Sequence, residues 1–390
     1  MKVFKSEIRV LFLLIFALFG WSISARSNSY TPPCRISLLT CGPGQEVYSL
    51  YGHTAIRVQS PETGDIVVNY GMFSFKQKYF ILRFVFGLTD YQMGVMPFDV
   101  FMEEYREEGR WVEEQQLNLD SAECRRIIVA LQKNYEPENR TYRYNYFYDN
   151  CTTRARDILI GNLNGKVRFP DNHKDTSYRE MIHSMNETHP WARFGNDLLL
   201  GLKADRKTNN EQQQFLPEHL MKDFDHAVVA NGSHQHNLVS GKLLLLSAQT
   251  VSSNDRGSFT PRLCTIAFFL CVLIIILVER KTKKRIWLFD FVWMLIDGMA
   301  GLILFAMIFS QHPTVSLNLQ ILLLNPLSLV FGLKAVLRLR KHQVHWFLKA
   351  HAVCIVIFLL GAFVQTYAEG MITLALSLLI RELYLIRAHE

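Results

Sequence analysis

The residue with the clearest capacity for chemistry is Cys151, which opens the segment CTTRARDILIG. The apolar residues of this segment fall on one helical face, Asn150 or Asp149 can cap it, and Gly161 can end it. A thiol at the positive end of a helix dipole ionises more readily, and free amide groups there can receive an oxyanion. Cys151 is therefore a candidate nucleophile.

A base for this thiol is available in His53, which follows Gly52 at the head of a strand-like segment. The base needs a third group to orient its ring. Asn69 is the first candidate because it has the same parity on the partner strand, and Asp65 is the second. A buried, inert cysteine and a structural histidine are the alternative interpretation of the same residues.

A β-hairpin is predicted to carry the histidine. Residues 55–59 and 66–70 alternate like strands, and Ser-Pro-Glu-Thr-Gly at 60–64 joins them. The remaining elements are predicted as a strand at 35–40, helices at 97–109 and 121–135 with Asp120 or Ser121 as cap, further strand or a surface-seeking segment at 78–96, and strand-like aromatics at 142–148. A strand pair, helices and a helix headed by cysteine indicate an α+β domain.

The chain of 390 residues divides into three parts of different composition. Residues 1–25 have a basic start, an apolar core and small residues at the end, which predicts a signal peptide or signal anchor. Residues 26–260 are rich in charges and amides, whereas residues 261–390 are dominated by Leu, Ile, Val and Phe. We therefore expect an exported catalytic domain at 26–260 and a transmembrane helical domain at 261–390.

About five membrane spans are predicted, at 263–278, 287–309, 319–337, 346–365 and 371–386. The basic runs at 279–285 and 338–345 then fall on one side, which places the soluble domain on the outer side. These runs account for much of the net charge of +7, and no nucleic-acid recognition motif is present. Asp290 and Asp297 in the second span are either functional groups or buried partners of another helix.

Three further cysteines share the exported side with Cys151, namely Cys34, Cys41 and Cys124. If Cys151 stays free, at most one disulfide forms among them, and Cys34–Cys41 is one possibility. His234 and His236 are interpreted as part of a polar linker rather than as metal ligands. No phosphate-binding loop is visible, so the sequence predicts neither a metal nor a cofactor.

Several segments resemble one known family. LLTCGPGQEVYSLYGHTAIRV, VVNYGMFSF, YRYNYFYDNCTTRARDIL and FLPEHLMKDFDHA resemble the Lnb-type periplasmic domain, and HPTVSLNLQILLLNPL resembles the membrane part that accompanies it. The resemblance covers nearly the whole mature chain in the same order. The namesake of the family is a lipoprotein N-acyltransferase, and its soluble domain is similar to permuted papain-like (NlpC-like) folds. In these folds histidine precedes cysteine, as His53 precedes Cys151.

The resemblance implies a two-step reaction at the bacterial inner membrane, in a multi-pass protein with its N-terminal domain in the periplasm. Cys151 would take an acyl chain from a phospholipid as a thioester and pass it to the α-amine of a diacylglyceryl lipoprotein. Four residues are then candidates for binding substrate near the headgroups: Arg154, His312, Asn318 and Asn325. Alternatively, Arg154 forms surface salt bridges, and the other three residues solvate a loop, cap a helix or dock the soluble domain.

Two other functions fit the same residues. Papain-like folds often cut peptides, so a membrane-anchored cell-wall amidase or cysteine peptidase is the rival enzyme. A non-enzymatic lipoprotein-binding scaffold is the rival from another class. Replacing Cys151 by Ser distinguishes them, because a scaffold keeps its function without the thiol.

Overall fold

The structure is a computed structural model that describes residues 34–74, 76, 78–171, 174–249 and 259–388. The predicted signal segment at 1–25 lies outside the described residues. Strands and helices alternate up to residue 246, and apolar helices follow from residue 261. The predicted α+β domain with a helical membrane part after it is confirmed.

The strands are β1 Arg35–Cys41, β2 His53–Ser60, β3 Gly64–Met72, β4 Asp90–Pro97, β5 Val112–Leu117, β6 Thr141–Arg143, β7 Lys166–Arg168, β8 Val228–Asn231, β9 His234–Asn237 and β10 Val239–Leu246. The α-helices of the first part are α1 Phe80–Val85, α2 Phe98–Glu107, α3 Ser121–Tyr135, α4 Cys151–Ile160, α5 Tyr178–Met185, α6 Pro190–Leu199, α7 Asn210–Gln213 and α8 Pro217–His226. Those of the membrane part are α9 Pro261–Thr282, α10 Trp287–Met307, α11 Phe331–Leu339, α12 Trp346–Gly361 and α13 Met371–Arg387. Short 3-10 turns lie at Leu202–Asp205, Leu319–Leu322 and Pro326–Leu329.

The site is built on a seven-stranded antiparallel sheet in the order β10-β5-β1-β2-β3-β4-β6. The predicted hairpin is present as β2 and β3, which close at Ser60 opposite Gly64. Neighbouring residues of β2 point to opposite faces: Ile56 joins a core with α3 and α4, and Ala55 joins a second core with α2. Helices cover both faces of the sheet. They therefore hold β2 and β3, the strands that carry His53 and Asn69, in position at its centre.

Two aromatic-rich segments differ in part from their predicted structure. Residues 78–96 form the short helix α1 and then β4, and only Thr141–Arg143 of the second segment pairs as a strand. The chain after β6 turns instead, with hydrogen bonds between Asn145 and Asp149. Aromatic side chains pack equally well on a helix, strand or turn, so their composition does not fix the backbone.

A disulfide joins Cys34, just before β1, to Cys124 on α3, while Cys41 is a free, buried thiol. One disulfide thus forms among the three candidates, between residues 90 positions apart rather than between Cys34 and Cys41. Disulfides of this kind are typical of exported proteins.

The membrane part differs from the prediction at its third span. Helices α9 and α10 are each long and apolar enough to cross a membrane, and the bent pair Leu319–Leu329 and Phe331–Leu339 makes a third if it is one span. The span predicted at 319–337 is therefore not one continuous helix: two 3-10 turns precede α11, with a bend of 63°. Pro326 lacks an amide donor, and Asn318 and Asn325 each cap a turn, which interrupts the helix.

The carboxylates of the second span are buried partners of other helices. Asp290 forms two hydrogen bonds with Arg381, which also binds Glu279. Asp297 accepts from the backbone amide of Asn325 at 3.3 Å and so holds the broken span against α10. Buried charges in a membrane protein are expected to be paired in this way.

Candidate active site

Cys151 lies in the first turn of α4, and its position is fixed by the residue before it. The side-chain oxygen of Asn150 accepts from the amides of Thr152 and Thr153, both at 2.9 Å. The side-chain amide of Asn150 donates to the carbonyls of Tyr146 and Phe215. The cap is thus Asn150 rather than Asp149, and two of the expected free amides are already bonded. Among the described residues the amide of Cys151 has no hydrogen-bond partner, so it is available to receive an oxyanion.

The packing of α4 on the hairpin brings Cys151 to His53. Thr54, the second residue of β2, hydrogen-bonds through its hydroxyl to that of Thr152 at 3.1 Å and so ties the helix start to the strand start. His53 lies close enough to Cys151 for the two side chains to shift each other's pKa through charge and hydrogen bonding. Its Nε2 lies 3.0 Å from Oδ1 of Asn69. Because an amide oxygen accepts, Nε2 carries a proton, which leaves Nδ1 as the nitrogen available to exchange a proton with the thiol.

Two glycines permit this close approach. Gly52 has a φ of +78°, and a Cβ there would lie 2.7 Å from the carbonyl oxygen of Cys41. Gly71 has a φ of +86°, and a Cβ there would lie 3.6 Å from the Cβ of Cys151. Both positions favour glycine because other residues rarely adopt a positive φ.

The pKa values of the pair favour charge separation. Burial opposes ionisation of Cys151, but the charge of His53, its hydrogen bond and the amide of Thr54 together lower the thiol pKa from 9.0 to about 7. Burial likewise opposes protonation of His53, yet the charge of Cys151 and the hydrogen bonds from Cys151 and Asn69 raise its pKa above 6.5. A thiolate–imidazolium pair near neutral pH is the expected result.

Three tyrosines around the thiol were not singled out as functional by sequence reasoning. Tyr142, Tyr144 and Tyr146 all have pKa values raised, first by burial and also by the charge of Cys151. Their phenols therefore stay neutral, and within the described ranges the hydroxyls of Tyr142 and Tyr146 have no hydrogen-bond partner. The signal in the sequence is their alternate spacing, YRYNY, directly before the cysteine. They supply an apolar wall with hydroxyl donors beside the sulfur.

The other predicted site residues near the thiol are engaged elsewhere. Arg154 forms a double ion pair with Asp149, at 2.5 and 2.8 Å, and its guanidinium lies 3.5 Å above the ring of Tyr142. Asp65 is bound by Arg57 and not by His53. Of the two candidates for the third residue, the structure brings only Asn69 to the imidazole.

The three candidates in the membrane part serve different contacts. Asn318 donates to the carbonyl of Leu198 on α6 at 2.8 Å and so joins the membrane part to the soluble part of the chain. Asn325 caps its 3-10 turn through the amide of Leu327. His312 lies against Gly87, and burial followed by the charge of Arg143 lowers its pKa. None of the three contacts Cys151 or His53 in the described structure.

The arrangement can carry out acyl transfer. Such chemistry requires a thiolate, a base that can return a proton, a residue that orients the base, and an oxyanion donor. In the parts of the chain that the structure describes, no group of three or more His, Cys, Asp or Glu side chains is placed to hold a metal ion.

Comparison with protein families matches both parts of the chain. The model of the Lnb N-terminal periplasmic domain matches residues 26–184, and the model of the Lnb transmembrane domain matches residues 252–389. Neither the curated proteins nor the solved structures contain a significant match.

Proposed function

The chain belongs to the Lnb family, with a periplasmic domain before a transmembrane domain, and on that premise we propose that it is a lipoprotein N-acyltransferase. It moves an acyl chain from a membrane phospholipid to the N-terminal amine of a diacylglyceryl lipoprotein. The catalytic residues are Cys151, His53 and Asn69. The observation that carries the proposal is the meeting of these three side chains at the start of α4, where Asn69 hydrogen-bonds the ring of His53 and the charge of His53 lowers the pKa of Cys151.

In the first step the thiolate of Cys151 attacks the carbonyl carbon of a phospholipid ester. The developing oxyanion is received by the amide of Cys151, and the ester C–O bond breaks as the thioester forms. The imidazolium of His53 gives its proton from Nδ1 to the departing glycerol oxygen, so that a lysophospholipid leaves. The charge separation favoured at neutral pH prepares both the nucleophile and the acid.

In the second step the amine of the lipoprotein attacks the thioester carbonyl. Neutral His53 takes a proton from the amine, the C–S bond breaks, and the thiolate is restored with an amide as product. Asn69 keeps Nε2 protonated through both steps and thereby holds Nδ1 toward the reacting atoms.

The membrane part places the site close to both substrates of this reaction. Both acyl donor and acceptor are anchored in the bilayer, and extracting a chain into water costs about 0.8 kcal/mol per methylene. A site held at the periplasmic surface of the inner membrane by a multi-pass domain avoids most of that cost. An amidase acting on the soluble cell-wall polymer would need only one anchor.

Reconstitution of the full chain in phospholipid vesicles with a diacylglyceryl lipoprotein tests the proposal. Wild-type protein should release one lysophospholipid per N-acylated lipoprotein, and without acceptor it should carry an acyl group on Cys151 that hydroxylamine removes. Cys151→Ser should abolish both. Cys271→Ser is the matched control because Cys271 is a free cysteine exposed on α9, and it should retain both.

Mass spectrometry of lipoprotein N-termini from a strain that lacks the protein separates the rivals. Loss of N-acylation, restored by the wild type and not by Cys151→Ser, supports the transferase. Unchanged lipoproteins together with altered cell-wall peptides would favour an amidase or peptidase. A function restored by Cys151→Ser would favour a scaffold.

A further inference from the structure

An exposed apolar patch lies on helix α1, in a segment that the proposed reaction does not yet use. Tyr79, Ile81, Leu82 and Phe84 are 66%, 76%, 58% and 44% exposed, respectively. Lys76 and Lys78 precede the patch and are also exposed. Apolar side chains on a short helix beside lysines are typical of segments that lie in the boundary between headgroups and acyl chains.

The patch is attached to one end of the membrane part. The carbonyl of Phe86 accepts from the amide of Gln311 at 3.0 Å, just beyond α10. Val85 packs in the same apolar cluster as Met307, the last residue of α10. Ile308 and Phe309, which follow, are 42% and 66% exposed and continue the lipid-facing surface of that helix. The patch therefore lies beside the end of α10 that leads to the soluble part of the chain.

A row of aromatic rings connects the patch with Cys151. Phe84, Phe80, Phe73, Tyr91 and Tyr144 follow one another with ring centroids 6.5, 6.2, 4.8 and 4.1 Å apart and planes within 22° of parallel. The last ring, Tyr144, lies beside Gly71. A Cβ at Gly71 would stand 4.0 Å from this ring and 3.6 Å from the Cβ of Cys151. These partly exposed rings are stacked, so their edges form a continuous apolar strip along which an alkyl chain can lie.

From the patch, its attachment and the row of rings we propose that α1 dips into the bilayer surface facing the periplasmic domain and is the entry for the phospholipid donor. The acyl chain leaves the bilayer over Ile81 and Leu82 and follows the rings to the sulfur, while the lysines face the anionic headgroups. The route of the acyl chain to Cys151 rests on the proposed acyl transfer. The insertion of α1 into the bilayer surface rests on the patch alone.

Insertion is tested with the full chain in vesicles whose phospholipids are brominated near the headgroup end of the acyl chains. Tryptophan placed by Ile81→Trp should show quenching beyond that of the native tryptophans. Val129→Trp is the matched control, because Val129 is a 56% exposed apolar residue on α3, a helix that packs on the sheet. Equal quenching of the two variants overturns the proposal.

The entry route is tested with the double variant Ile81→Asp, Leu82→Asp against Val129→Asp. Acylation of Cys151 from vesicle phospholipid should fall about tenfold or more in the double variant, because carboxylates disfavour contact with the acyl region. Alkylation of Cys151 by iodoacetamide should stay within twofold of wild type, which shows an intact site. An unchanged acylation rate overturns the route. If the wild type forms no acyl-thioester at all, the proposed function fails, while the bromine quenching still decides insertion.

Discussion

Cys151 owes its lowered pKa to neighbouring side chains more than to the helix on which it lies. Two amides of the first turn, those of Thr152 and Thr153, are bonded to Asn150 and do not stabilise the thiolate. The charge of His53 and its hydrogen bond are the largest of the effects that lower the thiol pKa, and they act against burial. The reactivity of the site is therefore a property of the pair, and it is lost when either member is removed.

His53→Ala should return the thiol to an unreactive state. With the imidazole removed, burial dominates and the pKa of Cys151 rises from about 7 to 9 or above. The thiolate fraction at pH 7 then falls from about half to about 1% or less. Iodoacetamide labelling of Cys151 across a pH series, read by peptide mass spectrometry, should show the inflection move upward. An inflection that stays near pH 7 in the variant would refute the pairing.

Asn69 and Asp65 offer a matched pair of substitutions on β3. Asn69→Ala removes the acceptor on Nε2, which lowers the pKa of His53 and frees the ring to rotate, so acyl transfer should fall about tenfold to a hundredfold. Asp65→Ala breaks a partly exposed pair with Arg57 and a hydrogen bond from Gln59, neither of which involves His53, and should leave the rate within about twofold. Initial rates of lysophospholipid release measure both. Equal losses in the two variants would contradict the assignment of Asn69.

At the scale of elements, the sequence predicted best where a local signal had a single physical meaning. Alternation with a five-residue turn predicted the hairpin β2–β3, and the Asp120 cap predicted the start of α3. The shared parity of residues 53 and 69 was compatible with their contact, which is present, but Asp65 has the same parity and binds Arg57 instead. The meeting of β2 with α4 depends on packing across 98 residues, which no local pattern contains.

Where one sequence pattern is compatible with several backbone conformations, the sequence did not determine which of them forms. The aromatic residues at 78–96 suit both strand and helix, and the structure has one of each. The apolar run at 319–337 has the composition of a span, but its asparagines cap turns and its proline interrupts the helix. The pairing of Cys34 with Cys124 likewise depends on where α3 packs beside β1.

The disulfide between β1 and α3 should stabilise the periplasmic domain. Closing a loop of 90 residues restricts the unfolded chain, and losing such a bond costs about 2–4 kcal/mol. Cys34→Ser, Cys124→Ser and the double variant should lower the thermal midpoint of the full chain in detergent by similar amounts, about 5 °C or more. Cys271→Ser should leave it unchanged. A double variant much less stable than either single one would show that the two cysteines act independently.

At the scale of the whole molecule, the soluble and membrane parts are joined by backbone as well as by side chains. The amide of Gly201 donates to the carbonyl of Thr314, and that of Leu202 to the carbonyl of Leu317, both at 2.8 Å. Gln320, fully buried, donates to the carbonyl of Asp197 on α6. Contacts of this kind fix the position of the soluble part relative to the membrane part, which the proposed transfer requires.

Gly201→Ala should disturb this junction without touching the catalytic pair. A Cβ at position 201 would lie 2.2 Å from the carbonyl oxygen of Leu317, so the two backbones must separate. Loss of the two hydrogen bonds, at about 0.5–1.5 kcal/mol each, should reduce acylation from vesicle phospholipid about tenfold while iodoacetamide labelling of Cys151 stays unchanged. Gly195→Ala is the matched control: it lies on α6, a Cβ there meets nothing within 4 Å, and alanine favours the helix by up to about 1 kcal/mol. Equal acylation rates for the two variants would mean that the junction does not position the site, and that the catalytic domain reaches its lipid by some other contact.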